Sequence, residues 1–279
     1  MPVKIVTDSV ADIPAGVVAE LGISIIPVLV HFGEETFRDG IDITTDQFFR
    51  KLVNSDVMPT TSVPSMDIFA RTYAKLAEET DEILVIMLSS KLSGLYNAAV
   101  QSAALVDGDT RIEVIDSGCA VMAQGFIVIR AAQAARDGAS MEELIEIVHR
   151  DLPRVEIRAA FDTLEYLQRG GRIGKAAALM GSLLKINPIV ALKDGVVEPA
   201  GRARSRAKAI DLLYDFVAGY SNIEELAVEG GACPDDVDNL VERLGAIYPK
   251  ERIYRSRATP VIGAHTGPGL ILVAVLGDK

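Results

Sequence analysis

Cysteine is scarce in this chain: Cys119 and Cys233 are the only two among 279 residues. They lie far apart and form no CxxC pair. That excludes a disulfide-stapled scaffold and a dithiol redox motif, and leaves two free thiols of a reducing compartment. Histidine is nearly as rare, with three in all, and neither HExxH nor a paired histidine spacing occurs. No zinc site is expected. GxxxxGK[ST] and GxGxxG are both missing, so the familiar nucleotide cradles are excluded. Long apolar runs are also absent. The longest, such as 270–276, fall far short of the roughly 18 residues that suggest a membrane span. The opening MPVKIVTDS enters a strand pattern at once, with no apolar core of a signal peptide. These absences point to a cytoplasmic protein without integral membrane association. Positive charge is outweighed, 28 Lys and Arg against 39 Asp and Glu, for a net charge of −11. No basic stretch with interleaved aromatics appears, so nucleic acid is not an expected partner.

What the chain does have is core material. Hydrophobic residues make up 49% and charged residues 24%, enough for one large domain or two ordinary ones. Strand patterns at 3–7, 24–32, 82–88 and 111–115 alternate with helical patterns at 13–21, 65–79, 93–106, 124–137 and 141–150. Asp12 is expected to cap the first helix and Gly22 to stop it. A short extra strand is expected at 37–43, before a helix at 45–53. Alternation of this kind predicts a parallel sheet covered on both faces.

The second half reads differently. A strand at 158–161 precedes DTLE, a capping-box pattern that opens a helix ended by Gly170 and Gly171. A short helix is expected at 176–185. PIVALKDGVVEPAG alternates around Asp194-Gly195, a strong hairpin signal. Helices at 207–218 and 235–244 and strands at 226–229, 252–257 and 270–276 complete the half. The predicted fold is α/β in two domains. Residues 1–153 form a three-layer domain with a mainly parallel sheet, and residues 154–279 an α/β domain with a mixed sheet.

Four stretches could carry chemistry. LSSKLSG, 88–94, puts three hydroxyls where a strand hands over to a helix, at the edge where open parallel sheets bind ligands. Such a turn can hold a carboxylate or phosphate, or one serine can simply cap the helix. MPTTSVPS, 58–65, presents hydroxyls on extended backbone, because Pro64 biases Val63 away from the helical region. GAHTGPG, 263–269, reads as a tight, exposed loop carrying His265, which is better placed to meet a ligand than His31 in a strand or His149 near a helix end. LQRGGRIGK, 167–175, and GRARSR, 201–206, are basic clusters in an acidic chain, suited to a solvated surface or to an acidic partner. Asp8, Asp12, Asp39 and Asp42 could form a magnesium site, but turns and caps explain them more simply.

Taken in order, TDSVADIP, TTSVPS, SSKLSGLYNAA, DTLEYLQRGGRIG and GAHTGPG resemble the DegV family of bacterial fatty-acid-binding proteins over nearly the whole chain. The resemblance implies two α/β domains with a long-chain fatty acid, such as palmitate, stearate or oleate, buried between them. It implies a non-catalytic subunit with no cofactor, which presents the acid to a separate ATP-dependent fatty acid kinase for acyl-phosphate formation. By motif, Thr61 and Ser62, Ser93 and Gly94, and His265 and Thr266 would surround the head group. Arg172 and Arg202 would lie near the pocket mouth, facing the kinase. This sequence departs from the pattern at Leu95, where threonine is more usual. It also departs in GPGLILVAV, which bears on cavity shape, and at Glu229-Gly230-Gly231, where a histidine is more usual and kinase coupling is at stake.

Three other readings stay open on sequence grounds. One is a fatty-acid-sensing regulator without a kinase. Another is a serine hydrolase using Ser93 and His265, although KLSGL lacks the G-x-S-x-G elbow. The third is a sugar-kinase substrate subunit of the dihydroxyacetone kinase type.

Overall fold

The computed structural model describes residues 2–106, 108–180 and 186–279. The chain opens with β1 (Lys4–Asp8), a single tight turn at 9–11, and α1 (Ala15–Leu21), which Gly22 ends in the left-handed conformation. Next come β2 (Ser24–Ile26), β3 (Leu29–Phe32), β4 (Glu35–Arg38), α2 (Thr45–Val53), β5 (Thr60–Ser62) and α3 (Met66–Ala77). β6 (Glu82–Met87), α4 (Leu95–Ala103), β7 (Arg111–Asp116), α5 (Val121–Arg136) and α6 (Met141–Asp151) complete the first half. β1, β2, β6 and β7 form a four-stranded, wholly parallel sheet in the order β2-β1-β6-β7. Its central strands read as near-continuous Val, Ile and Leu, as strands buried on both faces must. β4, β3 and β5 make a separate antiparallel sheet.

The single strand expected at 24–32 is therefore two. Pro27 interrupts it with a residue that has no N–H to donate. The chain leaves the parallel sheet after Ile26 and enters the small antiparallel one at Leu29. The expected strand at 37–43 is likewise shorter. β4 ends at Arg38, and the chain turns through Gly40 at φ 71° to close the bridge between Asp39 and Ile43. Asp12 does not cap α1. It sits at φ 50° after the tight turn, and Pro14 takes the cap position.

The second half contains β8 (Val155–Ala160), α7 (Glu165–Arg169), β9 (Asn187–Lys193), β10 (Val196–Ala203), α8 (Arg206–Ala218), β11 (Asn222–Gly230), α9 (Pro234–Leu244), β12 (Tyr254–Arg257), α10 (Pro260–Thr266) and β13 (Ile271–Asp278). Six strands form one mixed sheet in the order β10-β9-β8-β13-β11-β12, with only the last pair parallel. The hairpin around Asp194-Gly195 is present, and both residues take positive φ, 49° and 75°, as a tight primed turn requires. Residues 174–179 form tight helical turns rather than an α-helix, and 181–185 of the helix expected at 176–185 lie outside the described residues. The capping box expected at Asp162 does not form: Leu164 takes the cap position of α7, and the Thr163 hydroxyl accepts from the Glu165 amide.

Period-two alternation assigns the two faces of this sheet. On β13, Ile271, Val273 and Val275 pack with α8 and α9, while Leu272, Ala274 and Leu276 face the other way. That second face meets α5, which is buried nearly all round and lies between the two sheets. Gly125 permits this. A Cβ there would stand 2.8 Å from the Ala11 carbonyl oxygen. The two halves thus share one continuous apolar core through α5.

Candidate functional site

Beyond the carboxyl ends of β1 and β6, the parallel sheet and the apolar face of the mixed sheet enclose a cavity of about 340 Å³. Its walls come from both halves. Val10, Val28 and Leu88 line it from one side, and Ile157, Val190 and Leu272 from the other. Small-molecule pockets run from ~300 Å³ upward and are apolar with a few placed polar groups. This one fits that description.

The polar groups converge. His265 Nε2 lies 2.9 Å from Thr61 Oγ1, joining α10 to β5 across the domain junction. Arg172 follows α7, and its Nε donates to the Leu92 carbonyl at 3.0 Å while Nη1 donates to Gly170 at 2.6 Å. Leu92 leads directly into Ser93 and Gly94. Thr61, Ser93, Gly94, Arg172, His265 and Thr266 all line the cavity, as does Ser62. The sequence-predicted residues are thus brought together with one exception. Arg202 is exposed on β10 in a separate shallow cleft beside Arg204, Lys208 and Arg243.

The hydroxyls are not equivalent. Thr266 Oγ1 donates to the Ile262 carbonyl at 2.8 Å and is spent within its own helix. Ser62 Oγ pairs with His31 Nε2 at 2.8 Å, and His31 also meets Thr36, so that histidine ties strands together. Ser89 is buried, and its hydroxyl donates to the Gly195 carbonyl at 2.9 Å. Ser93 is different. Among the described residues its hydroxyl makes one bond, accepted from the Leu95 amide at a long 3.4 Å, and none of them takes its proton. Gly94 takes the cap position of α4, and Ser93 just ahead of it offers a donor to the cavity.

His265 is held neutral. Burial pushes its pKa down to about 4, and the nearby positive charge of Arg172 acts in the same direction. Nδ1 is buried without a partner and packs against Gly170. An N–H there would be stranded, so we assign the proton to Nε2, where Thr61 can accept it. The Thr61 hydroxyl proton is then directed away from the ring, toward the cavity. Thr61 and Ser93 become two donors, with no acceptor competing for them, at one end of an apolar chamber. Such an end suits a carboxylate.

A nucleophile–base pair does not form. His265 bonds Thr61 rather than Ser93, and no carboxylate meets its Nδ1. The serine-hydrolase geometry is therefore missing. The two cysteines are free, and burial pushes the Cys119 thiol up to about 12, so it is no nucleophile. Asp42 is taken by Arg38 at the surface, while Asp8 caps the turn at Val10 and accepts from the Leu88 amide. Among the described residues, no three histidines, cysteines or carboxylates are placed to hold a metal ion. No helix among them is long and apolar enough to cross a membrane.

GAHTGPG is not the exposed loop expected from its glycines. Gly263–Thr266 form the last turn of α10 and are mostly buried, with Gly267 at φ 75° ending the helix. The glycines serve close packing as much as turning. A Cβ at Gly263 would stand 2.5 Å from the Phe48 ring.

A family model described as "Uncharacterised protein, DegV family" matches residues 2–278. The chain belongs to the DegV family. Solved relatives agree over its full length. A fatty-acid-binding DegV family protein from Thermus thermophilus superposes with a TM-score of 0.91 at 34% identity, covering 99% of this chain and all of that one. DegV from Bacillus subtilis, a fatty acid binding protein, gives 0.89 at 32% identity with both chains covered completely. A stearic acid-binding protein from Eubacterium ventriosum gives 0.88 at 26% identity over 98% of each chain. The α/β fold in two domains is that of these DegV proteins.

Proposed function

We propose that this DegV protein binds a long-chain fatty acid, of the palmitate, stearate or oleate class, and presents its carboxylate to a separate ATP-dependent fatty acid kinase. One observation carries the first half. The cavity is apolar throughout except at one end, where Thr61 and Ser93 offer hydroxyl protons beside neutral His265. Burying about 14 methylenes contributes roughly 11 kcal/mol at ~0.8 kcal/mol each, before the ligand's lost freedom is subtracted. The tail supplies affinity, and the head group needs only orientation. Hydroxyls neutralise a carboxylate less than a bidentate guanidinium would, which leaves its oxygens nucleophilic toward a phosphoryl donor. Arg172 stands beside that end with its guanidinium held by backbone carbonyls. It would meet an incoming phosphate without neutralising the acid beforehand.

Mass spectrometry of an organic extract of the purified protein tests the ligand class. A stoichiometric long-chain acid is expected. A clean extract, together with no binding of added palmitate or oleate, overturns the reading. Incubating the loaded protein with a fatty acid kinase and ATP tests presentation. Acyl phosphate is expected, and its absence despite full loading overturns the kinase half and favours a fatty-acid sensor.

A further inference from the structure

Behind the cavity wall lies a group of buried carboxyls that the proposed lipid site does not use. Asp12 follows the turn after β1, and Glu229 lies on β11 in the other half of the molecule. Glu229 pairs in register with Ser256 on β12, whose hydroxyl donates to the Asp12 carbonyl, and this brings the Glu229 carboxyl up against that of Asp12. Asp12 is 4% exposed and Glu229 is fully buried. Beyond the Met122 backbone N–H, which approaches Glu229 from the start of α5, and the Thr259 side chain beside Asp12, no group of the described residues donates to Asp12 Oδ2 or to either Glu229 oxygen. Two facing carboxylates with no donor between them repel, and one proton shared between them converts repulsion into a hydrogen bond.

Among the described residues, no cation pairs with either carboxyl. Asp39, after β4, is 2% exposed and accepts from Ser9 at 2.6 Å. Asp8 lies at the end of β1 and acts on Asp39. Thr259, ahead of α10, donates its amide to Asp12 Oδ1 at 3.3 Å, and Ser256 on β12 donates to the Asp12 carbonyl. Gln124 on α5 turns its amide nitrogen to Asp8 and Thr7. The charges acting most strongly on the pair are all negative, and burial adds to them.

We propose that Asp12 and Glu229 share one proton across the domain junction, as a pH-sensitive clasp that keeps the cavity closed. Three cavity-lining segments run from this point. Val10 precedes Asp12 on the same turn. Ala120 and Val121 lead into α5 beside Glu229. Val261, Ile262 and His265 lie on α10, whose start is bonded to Asp12. Loss of the shared proton places two negative charges in an apolar junction. The turn, β11 and the start of α10 then separate, and the cavity opens.

Both consequences can be read on the full-length protein. Melting temperature is measured from about pH 5 to about pH 9, and release of cis-parinaric acid, a fluorescent polyene fatty acid, is timed by stopped flow over the same range. The release assay rests on the fatty-acid reading above; the melting assay does not. The unmodified protein should lose stability on the alkaline side and release the probe about tenfold faster at the top of the range. Glu229→Gln keeps a donor facing Asp12 without titrating, so its alkaline loss should be smaller by about one proton and its release change less than about twofold. Asp12→Asn is the reciprocal variant. Alkaline profiles that run parallel in all three proteins overturn the clasp. If neither variant folds, infrared spectra of the unmodified protein decide. A protonated carboxyl band that survives at about pH 7 and is gone by about pH 9 supports the clasp, and its absence at about pH 7 overturns it. If no parinaric acid binds at any pH, the fatty-acid reading fails while the melting profiles still judge the clasp.

Discussion

Gly170 and His265 are in such close contact that no side chain fits between them: a Cβ at position 170 would stand 2.2 Å from the imidazole Nδ1. The glycine that ends α7 therefore sets the position of the ring that holds Thr61. Gly170→Ala should fold, because the φ there is −74° and allows alanine, yet it should displace His265. Affinity for a fluorescent fatty acid is expected to fall about tenfold, with little change in melting temperature.

Removing the acceptor is the complementary test. Thr61→Val keeps the shape but strands the His265 Nε2 proton and deletes one donor to the carboxylate. Binding of palmitate should weaken by roughly 1–3 kcal/mol, the usual cost of leaving a buried polar group unpaired. Binding of the corresponding long-chain alcohol should change less. Isothermal titration with both ligands separates a head-group effect from general loosening.

The neutrality of His265 makes an acid-side prediction. Its pKa is lowered in the fold to about 4, while the unfolded chain protonates near 6.5. The unfolded state therefore binds more protons between those values, and stability falls as pH drops from about 6.5 toward about 4. His265→Gln should remove up to about 3 kcal/mol of that decline in denaturant unfolding. A wild-type and variant difference that is flat with pH would refute it. The buried acids act with the opposite sign. Burial raises Glu229 and pushes Asp39 up to about 7, so the stability these acids contribute is lost as pH rises through their raised values.

Ser89 joins the parallel sheet to the β9–β10 hairpin through its bond to the Gly195 carbonyl, and Lys91 reaches the Asp194 carbonyl beside it at 2.8 Å. Ser89→Ala leaves a buried carbonyl unpaired. A loss of about 1–2 kcal/mol in unfolding free energy is expected. Fatty-acid exchange should also quicken, because Leu192 and Val197 of that hairpin line the cavity.

Tail length should answer to the mixed sheet. Ala159 on β8 is buried and lines the cavity. Ala159→Phe fills part of the space, so competition assays should shift preference toward shorter acids. Unchanged ranking of myristate against stearate would place the tail elsewhere.

The hydroxyl motifs, the DG hairpin and the alternation of strands and helices were legible because each depends on residues close in sequence. Pattern could not separate the roles of Ser89 and Ser93. Only the folded chain shows that Ser89 faces a carbonyl while Ser93 faces the cavity. GAHTGPG misled for a related reason. Its glycines suggest a free loop, but two of them are small because the Phe48 ring and Tyr166 pack against them. Arg202 was placed beside Arg172 by motif resemblance, and its position on β10 puts it in a different cleft. The pairing of Asp12 with Glu229 left no local signal, since it joins a turn and a strand from opposite ends of the chain. Asp12 alone resembles an ordinary helix cap.

β13 lies in the middle of its sheet, between β8 and β11, although it follows both of them in the chain. It supplies Leu272 to the cavity wall, and α10 just before it supplies His265. A ribosome-bound chain that has not yet released these residues has a gap in its central sheet and a Thr61 without its His265 partner. The chamber therefore closes only once β13 has inserted between two strands that precede it in the chain.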